Sequence, residues 1–119
     1  MKFHPSFSAV LAFALVACGP SAEDEKNMEE KMKFENERSE IMTGALPDCD
    51  KLETELTAYN EKNRDGLKRI DAWWVALGDG AKDALIEKHR AAWDQQSKAV
   101  MSGAMSCGDA YKKAMKAAL

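Results

Sequence analysis

The chain has 119 residues, 17 of them basic and 20 acidic, for a formal net charge of −3. That length suits one domain, and the mildly acidic balance lacks the basic face that a nucleic-acid binder needs. Three cysteines and two histidines leave too little material for a metal site of the usual Cys/His composition. No cofactor motif is present. Around Cys107 the Cys-x-x-Cys-His pattern of covalent haem is missing, and only a Met28 or Met32 partner for His89 would be left to hold haem iron.

At the N-terminus, Lys2 precedes a stretch, Phe7 to Ala17, that is apolar apart from Ser8. A bilayer-spanning helix takes about 20 apolar residues, so residues 1–17 read as a signal peptide and not as a span. The stretch ends in Leu15-Val16-Ala17-Cys18: aliphatic, tolerant, small, cysteine. This resembles the lipobox of bacterial lipoprotein precursors, over residues 1–18 only. The resemblance implies cleavage before Cys18 and acylation of Cys18 by a diacylglyceryl group and fatty acid such as palmitate. Two or more acyl chains anchor a protein stably where one does so marginally. The body would then be tethered to the cell envelope, facing the periplasm or exterior. Gly19, in place of aspartate, implies the outer membrane over the inner one if the cell is Gram-negative. Residues 18–25 become the lipidated cysteine and its polar tether, and residues 26–119 the folded domain.

Ala, Glu, Lys, Leu and Met dominate the remainder and no alternating pattern occurs, so the expected class is all-α. The first helical segment runs from about Glu23 to Thr43 and stops at Gly44, with Pro47 soon after. Its apolar stripe (Met28, Met32, Phe34, Ile41, Met42) is broken by Glu35 and Ser39. The pairs Lys26–Glu30, Glu29–Lys33 and Lys31–Glu35 read as a solvated face. A second segment starts at Asp48 or Asp50, either of which can cap, and ends at Leu77 before Gly78-Asp79-Gly80. Its seam is Cys49, Leu52, Leu56, Tyr59, Asn63, Gly66, Ile70, Trp73 and Leu77. The third segment begins near Ala81, with a seam of Ile86, His89, Trp93, Gln96, Val100, Gly103 and Cys107. Alternating spacings of three and four are those of helices packed in bundles. The expectation is a three-helix up-down-up bundle built on an antiparallel hairpin of the second and third segments. Gly108-Asp109 leaves two outcomes open for Tyr111–Leu119: a straight continuation, or a short fourth helix folded back.

A hairpin turning between Gly78 and Asp79 puts residues i and 157 − i at one height. Cys49 and Cys107 fall one residue from level on the inward seam, so they are expected to form a disulfide, which an exported compartment allows. By the same rule Trp93 lies beside Arg64, close to the space left by Gly66. Asn63 comes within reach of Gln96, and with His89 these make a candidate polar core site. It is either a ligand-binding notch or a buried pair that fixes register. His89 could be oriented by Asp71 or Glu87, but no activated nucleophile accompanies it, and no enzyme is expected. Trp73 and Trp74 sit beside the hairpin turn. One faces the seam, and the other is either covered by the first helix or forms an interaction surface. Together these features predict a lipid-anchored, non-catalytic module that binds another envelope component, a protein partner first. The second reading is a small-ligand carrier or sensor using the polar core site.

Overall fold

Ser21 starts the first helix of the computed structural model, which describes residues 19–119; residues 1–17, read above as a signal peptide, and Cys18 lie outside the described residues. The Asp24 N–H donates to the Ser21 hydroxyl at 3.0 Å, and the Ser21 N–H donates to the Asp24 carboxylate at 3.1 Å. This reciprocal cap satisfies two orphan donors at once. Helix α1 follows, Ala22–Ala45, with Glu23, Asp24 and Glu25 in its first turn, where the helix dipole favours negative charge. It therefore begins inside the stretch read as tether and passes through Gly44. It ends at Leu46, whose extended backbone (ψ 139°) is the conformation a following proline imposes. Replacing Ser21 by Ala is expected to lower stability by about 1 kcal/mol. Urea unfolding checks this, and an unchanged midpoint would mean that the cap contributes nothing.

Five more helices follow: α2 (Cys49–Lys62), α3 (Arg64–Ala76), α4 (Asp79–Lys88), α5 (Arg90–Ser106) and α6 (Gly108–Lys116). No strand occurs among the described residues, and the fold is all-α as expected. The cap of α2 is Asp48, which accepts from the Lys51 N–H at 3.1 Å. Among the described residues the helix count is six, not three, because the third segment ends at Cys107, before a separate α6, and the second and third segments are also interrupted at single residues, Asn63 and His89. Backbone bonding continues through both: Asn63 to Tyr59 and Leu67 to Asn63, then His89 to Leu85 and Trp93 to His89. At the first break the Asn63 side-chain amide also donates to the Tyr59 carbonyl, at 2.9 Å. A polar side chain competing for a helix carbonyl in this way is a local distortion of the helix.

Helix α1 packs against α2, α3 and α5. It runs antiparallel to α2 and α3: the Tyr59 hydroxyl donates to Glu37 at 2.6 Å, Arg69 pairs with Glu30, and the Trp73 indole N–H donates to Asp24 at 3.0 Å. Its direction matches that of α5, since Gln96 donates to the Met32 carbonyl at 3.2 Å and Gly103 lies against Met42. Cys49 and Cys107 form a disulfide, with Cα atoms 5.3 Å apart. Just beyond it the chain turns, and α6 folds back along α2. The Asn60 amide donates to the Ala114 carbonyl and the Arg64 Nε to the Ala117 carbonyl, both at 2.9 Å. Of the two outcomes left open for the tail, this is the fold-back.

Two apolar clusters result. One gathers Met42, Leu52, Leu56, Ala110 and Ala114 beside the disulfide. The other gathers Met28, Met32 and Leu85 with the three tryptophans. The height rule fails between them. A Cβ on Gly66 would lie 2.9 Å from Cζ of Phe34, so the space at Gly66 is filled from α1 and not by Trp93. Trp93 lies instead beside Trp74, with ring centroids 5.6 Å apart. The reason is that α1 packs on both α3 and α5, which a two-helix hairpin does not anticipate.

Candidate functional site

Between the two clusters the inward face of α1 carries charge. The Arg38 side chain is only 12% exposed and pairs with Glu35 one turn away. Its Nη1 points at the Met115 sulfur, 3.6 Å away, and a thioether is a weak acceptor. Its Nε is buried and has no partner among the described residues. Two turns before Arg38, the Lys31 ammonium lies 5.2 Å from the Trp74 ring centroid and 5.9 Å from that of Trp93, within cation–π range. Burial pushes the Lys31 pKa down, with Glu35 opposing the shift.

Three hollows meet over this charged row. The first, about 340 Å³, lies between α1 and α5, lined by Lys31, Glu35, Trp93, Gln96, Val100 and Met101 among others. A small central gap touches Lys31, Glu35, Arg38, Leu67, Ile70 and Asp71. The third, about 650 Å³, opens between α3 and α6, with Arg38, Leu67 and Asp71 among its lining. Lys31 and Glu35 line both the first hollow and the central gap, and Arg38, Leu67 and Asp71 line both the gap and the third hollow. Such a mixture of apolar lining and a few placed polar groups is typical of ligand and partner sites.

Of the residues singled out in the sequence, Cys49 and Cys107 are joined. Asn63, Gln96 and His89 are not joined by hydrogen bonds into a polar core site. Asn63 bonds back to Tyr59 within its own turn, and Gln96 is buried and bonds to Met32 of α1. His89 occupies the joint between α4 and α5, with Nε2 buried and unpartnered among the described residues. Both amides are satisfied by backbone carbonyls, so the cross-core pairing does not form. Trp73 and Trp74 are half-buried and pack on the Met28–Met32–Leu85 cluster. Covering by α1 therefore accounts for much of their surface.

Comparison with protein-family models, curated proteins and solved structures gives no match. Among the described residues no group of three or more His, Cys, Asp or Glu is placed to hold a metal ion, and no helix is long and apolar enough to cross a membrane.

Sequence reading missed Arg38 altogether and placed Lys31 and Glu35 on a solvated face. The signal was their phase: positions 28, 32, 35, 39 and 42 follow one helical stripe, and 31 and 38 flank it. Glu30, expected to pair with Lys26, reaches across to Arg69 of α3 instead.

One contact of this region is pH-sensitive. The Asp24 carboxyl lies below its ordinary value because it accepts the Trp73 indole N–H and, next, the Ser21 N–H. A depressed carboxyl contributes stability that is fully present above its unfolded pKa of about 3.9 and is lost as pH falls through the folded value. Acidification below about pH 4 is therefore expected to lower the thermal midpoint and shift Trp73 emission. In Asp24→Asn the same titration should lose this component; an identical acid limb would refute the assignment.

Proposed function

We propose that this is a lipid-anchored, non-enzymatic binding module of the bacterial envelope, held by the acylated Cys18 and docking a protein partner on the open side of α5. The observation that carries the docking face is the exposure of Met101 and Met105, 63% and 80%. They are four residues apart and so share one helix face. That face continues into the hollow lined by Trp93, Val100 and Met101. Methionine-rich patches adapt to partner surfaces, and large exposed apolar side chains grouped on one face mark interaction sites. We read the six helices as three rods, up-down-up, with α6 as a buttress that leaves the outer side of α5 uncovered. The lipobox resemblance supports the anchor, and in a Gram-negative cell Gly19 favours the outer membrane.

Photo-crosslinking residues placed at Met101 and Met105 in living cells test the docking face. One specific adduct from these positions, and none from Gly80, is expected. No adduct from either removes this reading. For the anchor, Cys18→Ser should move the protein from membrane to soluble fractions after export; unchanged membrane retention would reject lipidation. A second reading, carriage of a small ligand, is favoured by the hollow between α3 and α6.

A further inference from the structure

We propose that the groove between α3 and α6 binds a long-chain carboxylate, with the anionic head on Arg38 and the hydrocarbon chain between the two helices. Three observations point to this. The walls carry apolar side chains: Leu67 and Ala72 on one side, Tyr111, Met115 and Leu119 on the other. Leu119 is itself exposed, so the chain of an amphiphile would cover it. The lip is basic. Lys68, Lys112 and Lys116 stand around the opening with Asp71 as the single acid, and such a ring draws an anion inward. Finally, the one strong donor at the floor is poorly served. Arg38 gives one nitrogen to Glu35, another to a thioether, and has a buried Nε with no acceptor among the described residues.

A guanidinium binds carboxylate oxygens through strong, charge-assisted hydrogen bonds. Replacing the Met115 sulfur by an oxygen anion would convert the weakest contact of Arg38 into a charge-assisted one. Glu35 and Asp71 lie close by, which favours one compact monoanion over a dianionic phosphate. The volume, about 650 Å³, is within the range of small-molecule sites. This site is separate from the Met101–Met105 face, so it stands or falls independently of the proposed partner.

The test uses the full chain with Cys18→Ser, so that no lipid of its own competes. A dansyl-labelled undecanoic acid is bound and displaced by oleate, oleyl alcohol or octanoate. Oleate should displace it at least tenfold better than either the alcohol or the short acid, about 1.4 kcal/mol. Arg38→Gln should remove that preference for oleate over the alcohol. Lys112→Glu/Lys116→Glu, at exposed positions, should weaken oleate and leave the alcohol unchanged; it decides alone if circular dichroism shows Arg38→Gln unfolded. Asp83→Asn, at an exposed position on α4, should change nothing. The proposal is overturned by equal displacement by oleate and its alcohol, by unaltered oleate binding in the folded charge variants, or by loss of binding in Asp83→Asn.

Discussion

Reduction of the Cys49–Cys107 bridge is expected to lower the thermal midpoint by on the order of 20 °C. The bonded residues are 58 positions apart, and closing a loop of that length in the unfolded chain is worth about 4 kcal/mol. In a domain of this size each kcal/mol moves the midpoint by roughly 4–8 °C. The bridge ties the first residue of α2 to the joint between α5 and α6, and Cys107 is buried in the adjoining cluster. Its loss therefore frees the pivot of α6 as well as the unfolded chain. Calorimetry with and without reductant, and on Cys49→Ala/Cys107→Ala, measures the effect. A drop under about 5 °C would mean that packing alone already holds the two ends together. Loosening of α6 should also weaken binding in the α3–α6 groove at temperatures where the helices remain folded.

That bridge was legible in the sequence because two independent periodicities met at it. Turn position gave the height of Cys49 and Cys107, and the seam phase gave their direction. The same two rules failed for Gly66 and Trp93. They describe a pair of helices facing each other, whereas Phe34 of α1 occupies the space at Gly66. A third helix changes which residues meet without changing any spacing along the chain. Helix breaks show a similar limit. Asn63 and His89 fall on the seam with the expected phase, yet the backbone turns at both.

Charge was harder to read than apolarity. Lys31 and Glu35 at i, i+4 look identical whether they face water or a neighbouring helix. Only their phase relative to Met28, Met32 and Met42 separates the cases, and the sequence reading weighed the pair above the phase. The buried Arg38 follows from the same stripe. Its burial depends on α6 folding back, since Met115 supplies one of its contacts. No local pattern announces that return, because a straight helix and a folded-back one have the same amphipathic repeat. The groove is thus a tertiary product, whereas the helices that build it are local ones.

Asn60→Asp should destabilise the protein by about 3 kcal/mol or more at pH 7, and by much less near pH 4. Asn60 is fully buried, with relative exposure 0%, and its amide donates to the Ala114 carbonyl at 2.9 Å and also points at the Met115 sulfur. An ionised carboxylate at this position has no hydrogen to give, so it would face the carbonyl oxygen unsatisfied and desolvated. Burial raises the pKa of such a carboxyl. Its folded value then lies above the unfolded one of about 3.9. A raised folded pKa means that the folded state holds the extra proton, so stability falls as pH rises from the unfolded toward the folded value. Below about pH 4 the introduced group is neutral in both states and can donate to Ala114. Denaturant midpoints of the variant and parent across pH 4 to 8 measure the difference. A constant gap over that range would show that the introduced carboxyl reaches water, and hence that α6 does not hold tightly against α2. A gap that widens with pH would place Asn60, with the disulfide and the Arg64–Ala117 bond, among the attachments that keep α6 in place as a wall of the groove.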